Sequence, residues 1–129
     1  MCNNLHKDSQ PIEKQGVGWK IFLVDIKKYL KQPFAERSRY KKRKDGSVSW
    51  IKTMKYGQGF CFFTDQEEAD KLLKDLKDDV FYSKCVVVKI RYEKGLGEHD
   101  ESGVTHVGSY KTALCRNFRL HEDEQKYKL

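Results

Sequence analysis

The sequence has few prolines, no closely spaced cysteine pair and no long apolar run. No apolar stretch approaches the ~20 residues that a transmembrane helix needs. The N-terminus also lacks the apolar segment of a secretory signal. We therefore expect no membrane association and a location in the cytoplasm. With two prolines and no linker-like composition, the 129 residues are expected to form one domain.

The four cysteines are scattered singly along the chain, at Cys2, Cys61, Cys85 and Cys115. They could in principle form two disulfides. However, two of them lie inside apolar runs that are typical of strands. This placement favours buried free thiols in a reducing compartment.

Side chains that could act in catalysis or metal binding occur one at a time. Structural zinc sites use paired ligands such as Cys-x-x-Cys, which the sequence does not contain. His99 and His106 flank a glycine-rich segment and could meet Cys115 or His121 only through the fold. Cys2 could become an N-terminal nucleophile only if Met1 were removed. Because no Ser/His/Asp grouping and no phosphate-binding glycine motif is present, we predict no catalytic residue, metal or cofactor.

The apolar pattern predicts one α+β domain over residues 16–121, with a flexible arm at 1–15 and a polar tail at 122–129. Runs of β-branched and aromatic residues predict strands at 18–25, 60–63, 85–92 and 110–121. Asp45-Gly46 is a strong turn signal, and it predicts a hairpin in which residues 40–44 pair with residues 47–51. We expect a mainly antiparallel sheet of about five strands.

The principal helix is expected over residues 65–77, because small and large apolar residues recur there at helical spacing, at Ala69, Leu72, Leu73 and Leu76. Thr64 and Glu67 have the spacing of a capping box. The helix should pack its apolar stripe on one face of the sheet. A single helical turn is expected over 25–31, before Pro33. Residues 95–108, rich in glycine, are expected to form a long flexible loop.

The whole chain has a net charge of +7, and its positive residues are concentrated between Arg37 and Lys44. Tyr40 and Trp50 lie in and beside a basic cluster, so the segment offers phosphate contacts and a stacking surface together. Alternation along a strand would place charge on both faces, and we expect the hairpin to project from the core. The alternative is that these charges only protect a sheet edge from aggregation. The predicted binding residues are Arg37, Arg39, Tyr40, Lys41, Lys42, Arg43, Lys44 and Trp50.

Three segments in order, residues 18–22, 59–69 and 86–90, resemble small uncharacterised phage and prophage accessory proteins that begin Met-Cys. The same order is distantly similar to minimal ADP-ribosyltransferase-like domains. That second resemblance implies a catalytic role for Thr64 and for Glu122 or Glu124. The Ser-Thr-Ser triplet of those enzymes is missing here, as is a histidine or arginine on the first strand.

These observations favour a small basic, non-catalytic binding protein for a phosphate-bearing ligand, either nucleic acid or a nucleotide. The phage resemblance implies an accessory or anti-defence role. One alternative is a protein inhibitor, anti-CRISPR-like, that docks on an acidic protein partner of a nucleic-acid-handling complex. The other is an ADP-ribosyltransferase-like enzyme.

Overall fold

The computed structural model describes residues 10–31, 40–51, 59–78, 84–102 and 109–129. This part of the chain forms an α+β fold with one α-helix and a mostly antiparallel sheet. The sheet has seven strands, more than the five or so predicted. The strands are β1 (Gln15–Val24), β2 (Leu30–Lys31), β3 (Tyr40–Lys42), β4 (Val48–Trp50), β5 (Phe60–Phe62), β6 (Cys85–Ser102) and β7 (Ser109–Leu120). The helix is α1 (Gln66–Leu76), and a 3₁₀-helix follows β7 at Glu122–Glu124.

The sheet curls into a half-barrel with strand order β2-β1-β6-β7-β4-β3. β5 pairs with β7 on one side. On the other side Phe63, the residue after β5, exchanges two backbone hydrogen bonds of 2.7 and 2.8 Å with Trp19 of β1. Gly18 allows this approach, because a Cβ at that position would lie 2.5 Å from the Phe62 ring. β5 therefore links β7 to β1, and this link keeps the sheet curled around the larger core.

The larger core lies inside this curl and is dominated by aromatic side chains. The Phe60 ring packs edge-on against Phe118, with centroids 4.8 Å apart, and Phe62 lies 4.5 Å from Tyr92. Burial, the largest cause, raises the pKa of Tyr92.

Cys61, Cys85 and Cys115 are buried free thiols, as predicted, and burial raises the pKa of Cys85. Cys2 lies outside the described residues.

α1 covers the opposite face of the sheet, where Ala69, Leu72 and Leu76 pack with Ile21 and Phe63 in a second core cluster. The helix and its packing on one face are therefore as predicted. The cap differs by one residue from the expected capping box. Asp65, not Thr64, is the N-cap, and its carboxylate accepts a 2.9 Å hydrogen bond from the Glu67 amide. A short carboxylate satisfies a first-turn amide and carries the charge that the helix N-terminus favours.

Residues 25–31 do not form the helical turn that was predicted. The Asp25 carboxylate accepts hydrogen bonds from the amides of Lys27 and Tyr29, each 2.9 Å. Lys28 adopts a φ of 68°, and the chain reverses into β2, which pairs with the end of β1. The prediction failed because an aspartate can stabilise a tight turn as readily as it caps a helix.

The prediction of a flexible loop over 95–108 is also wrong for the first half of that range, because β6 extends to Ser102. β6 and β7 form a long antiparallel hairpin whose register shifts between Gly95 and Gly97. Backbone hydrogen bonds to Lys14 and Gln10 satisfy the amides of Gly95 and Glu98, at 2.9 and 2.7 Å. Glycines that favour a loop in isolation here accommodate a bulge inside a strand. Residues 103–108 lie outside the described part.

Candidate nucleic-acid interface

The predicted hairpin is present, with β3 and β4 joined through a tight turn at residues 43–47. The Arg43 amide donates to the Ser47 carbonyl at 2.8 Å, and Gly46 adopts a φ of 86° that a side chain would strain. The Asp45 carboxylate accepts from the Ser47 hydroxyl at 2.6 Å and from its amide at 2.9 Å. These bonds, with Arg119 and Arg43 nearby, lower the pKa of Asp45. The turn is therefore held in one conformation.

Tyr40 and Trp50 pair across the hairpin, and both rings turn toward the core. Trp50 is only 6% exposed and packs edge-on against Phe60, with centroids 5.1 Å apart. Tyr40 is half-buried and lies 6.1 Å from the same ring. The expected projection of the hairpin is therefore wrong, because these rings fix it to the curl. In this structure Trp50 does not offer a stacking surface.

The cations of the hairpin lie at the surface, at Lys41, Lys42, Arg43 and Lys44. β3 is the last strand on its side of the sheet, and neighbouring residues along it point to opposite faces. The edge position fits both the binding hypothesis and the edge-protection alternative. Arg37 and Arg39, two further predicted residues, lie outside the described part of the chain.

Residues 125–129, the C-terminal segment, connect the two ends of the sheet. Beside β2, the Leu30 amide donates to the Lys128 carbonyl at 2.7 Å, and the Lys128 amide donates to the Lys28 carbonyl at 2.9 Å. Beside β3, the Lys42 ammonium donates to the main-chain oxygen of Leu129. Tyr127 and Leu129 pack against the larger core. The segment thus closes the gap between β2 and β3.

This closure brings exposed cations from three separate stretches of sequence, at β2, at the β3–β4 hairpin and in the C-terminal segment itself, to the same edge of the sheet. We call this surface the basic face, and all of its members are exposed: Lys28, Lys31, Lys41, Lys42, Arg43, Lys44, Lys126 and Lys128. Only the hairpin members were predicted as binding residues. The other lysines are separated in sequence and carry no motif, so only the return of the C-terminal segment reveals them.

Lys89, Arg91, Lys111 and Arg119 of β6 and β7 differ from the cations of the basic face because each pairs with a carboxylate. Arg91 binds both carboxylate oxygens of Glu122 through its Nε at 2.8 Å, and Lys89 lies 3.5 Å from Asp123. Three further ion pairs are Arg119–Asp45, Arg119–Glu93 and Lys111–Glu98. Within the described ranges, no member of the basic face forms an ion pair. Exposed lysines outside that face, such as Lys14, Lys84 and Lys94, also form no ion pair within the described ranges, so the basic face is distinguished by how many cations it gathers.

The glutamates implied by the transferase resemblance belong to the neutralised region. The pKa of Glu122 is lowered, first by a hydrogen bond from the Glu122 amide and second by the hydrogen bond from Arg91. Glu124 accepts a 3.4 Å hydrogen bond from the Lys89 amide. Thr64 is exposed just before α1, and in the described structure no hydrogen bond joins it to either glutamate. In the described structure, the two glutamates contact cationic residues of β6, and Thr64 lies one residue before the N-cap of α1.

Lys20 is a buried cation that the sequence analysis did not single out. Its side chain is 3% exposed and points into the curl, where its ammonium donates a 2.8 Å hydrogen bond to the Cys61 carbonyl. Three phenylalanine rings surround it, with centroids at 5.7–6.0 Å. The signal was available, because Lys20 shares the strand parity of Phe22 in β1. Its burial makes it a part of the core rather than of the interface.

An open depression of about 310 Å³ lies beside the β1–β2 turn and the end of α1. Its lining includes Asp25, Ile26, Lys77, Lys84 and Cys85.

Over the ranges that the structure describes, no cluster of three or more metal-ligating side chains occurs. In the same ranges, no helix has the length and apolar character to cross a bilayer.

Comparison with known proteins found no matching family model, no similar curated protein and no similar solved structure.

Proposed function

We propose that this protein is a non-catalytic binding protein for a phosphate-bearing ligand, and that the ligand is nucleic acid. The observation that carries the proposal is the basic face, where exposed cations from three stretches of sequence gather around the closed edge of the sheet. Cations spread over an open surface suit a polymer with many phosphates better than a single nucleotide, which would need a concave pocket. The resemblance to phage accessory proteins supports an anti-defence role for this binding.

The salt dependence of binding tests this proposal. Each phosphate contact releases counterions, so affinity for a labelled oligonucleotide should fall steeply as salt rises. Replacing Lys41, Arg43 and Lys44 together with glutamine should weaken binding and reduce the slope of log K against log salt by about 2. The matched control replaces Lys74, Lys94 and Lys111, which lie outside the basic face, and removes the same charge. Fluorescence anisotropy over a salt series measures both effects.

A flat salt dependence, or equal losses in the two triple variants, would contradict the proposal. An acidic protein surface could use the same cations, and it is the competing occupant of the basic face. Capture of a host protein after nuclease treatment, without measurable binding to nucleic acid, would favour that alternative. Loss of the captured protein on nuclease treatment would favour nucleic acid.

A further inference from the structure

The β1–β2 turn, residues 25–29, presents two large apolar side chains to solvent. Ile26 is 92% exposed and Tyr29 is 43% exposed, and Ile51 is the other large apolar side chain that the described residues expose. Two such side chains in one short turn form an apolar tip between charged neighbours. Exposed apolar surface framed by polar residues is typical of a contact site.

The turn holds these side chains in a fixed position. In addition to the two bonds to its carboxylate, the Asp25 amide donates to the Tyr29 carbonyl at 3.1 Å. The Lys28 amide donates to the Asp25 carbonyl, also at 3.1 Å. A ring presented by a hydrogen-bonded turn loses little conformational freedom when a ligand covers it.

Cations surround the exposed ring. The Lys128 ammonium lies 5.4 Å from the centre of the Tyr29 ring, and Lys27 and Lys28 are exposed in the same turn. The depression beside the turn is lined in part by Lys77 and Lys84. A base covering Tyr29 would therefore have the ammonium groups of Lys128 and of the turn available for neighbouring phosphates.

We propose that the basic face binds single-stranded nucleic acid in preference to duplex, with Tyr29 as the residue on which a base stacks. The inference rests on the proposed function. Stacking on Tyr29 would favour single strands because the bases of a duplex already stack on one another, whereas those of a single strand are free to cover an aromatic ring. Duplex would meet the same lysines through its phosphates alone.

The test compares Tyr29→Ala and Tyr29→Phe with the unmodified protein. Anisotropy is measured with a labelled oligothymidylate and with a duplex of equal length, at the same salt concentration. Tyr29→Ala should lower single-strand affinity roughly 5- to 100-fold, the loss of one stacked base, and leave duplex affinity nearly unchanged. Tyr29→Phe keeps the ring and should keep the affinity. Ile51→Ala changes an exposed apolar side chain outside this turn, and as the control it should bind both ligands normally.

Equal losses for both ligands, no loss in Tyr29→Ala, or the same loss in Ile51→Ala would overturn the stacking proposal while leaving the proposed function in place. Failure of the unmodified protein to bind either ligand would overturn both proposals. Thermal unfolding of each variant separates a loss of contact from a loss of fold, since all three changes lie at exposed positions.

Discussion

Lys20 places an ammonium group inside the curl of the sheet, among three phenylalanine rings and one carbonyl oxygen. Removing a charge from water is costly unless hydrogen bonds and other charges or dipoles replace the lost hydration. Here the faces of the rings and the Cys61 carbonyl supply negative potential. The aliphatic part of the side chain adds apolar contact with the core. The site is therefore complementary to a cation rather than to any long side chain.

Substitutions at Lys20 test this complementarity. Lys20→Met keeps the length and removes both the charge and the hydrogen bond, so its free energy of unfolding should fall by about 1 kcal/mol. Lys20→Glu places a carboxylate against ring faces and a carbonyl, and should cost several kcal/mol. Urea unfolding measures both, with Lys27→Glu as an exposed control. Equal stabilities for Lys20→Met and Lys20→Glu would contradict the account.

At the scale of elements, the C-terminal segment holds the two ends of the sheet together. Its main-chain groups pair with Lys28 and Leu30 beside β2, and Leu129 accepts from Lys42 on β3. Tyr127 packs against the core between these contacts. The segment is polar in sequence, yet its position covers apolar surface that would otherwise face water.

Removing the Tyr127 ring should weaken this closure. Tyr127→Ala is expected to lower the free energy of unfolding by about 2 kcal/mol, the scale of a partly buried large side chain. The neighbouring variant Lys126→Ala should change it by roughly 0.5 kcal/mol or less, as is usual for exposed positions. Urea unfolding followed by tryptophan fluorescence gives both values. If the two variants unfold at the same urea concentration, the segment does not close the sheet.

The elements that the sequence predicts well are those with local signals. α1 was foreseen because its apolar spacing lies within one helix, and the β3–β4 hairpin because Asp45 and Gly46 mark its turn. The second half of β6 was missed because its pairing partner, β7, overrides a glycine-rich composition. The turn after β1 was missed because Asp25 can stabilise either a turn or a helix start.

The candidate site was foreseen only in part, for a similar reason. The hairpin cations are adjacent in sequence, so their clustering is visible without a structure. Lys28, Lys31 and Lys128 join them only because the C-terminal segment returns to the sheet. Trp50 was chosen for its ring, but it pairs with Tyr40 on the inward side of the hairpin, which no composition argument reveals. Tyr29 was overlooked because a helical turn was expected there.

At the scale of the whole molecule, charge is divided between two regions. Carboxylates pair with Lys89, Arg91, Lys111 and Arg119 of β6 and β7, while the basic face has no ion pair within the described residues. A surface of this kind attracts polyanions from a distance and binds them less well as salt screens it. Binding of a polyanion therefore requires the basic face to act as one surface, although its members come from separate parts of the chain.

Amide chemical shifts during titration with a single-stranded oligonucleotide test this claim most directly. Residues 40–44, 28–31 and 126–129 should shift together and follow one binding curve, while α1 stays unperturbed. Shifts confined to the hairpin, or separate curves for the hairpin and the C-terminal segment, would contradict the account. So would a response centred on α1.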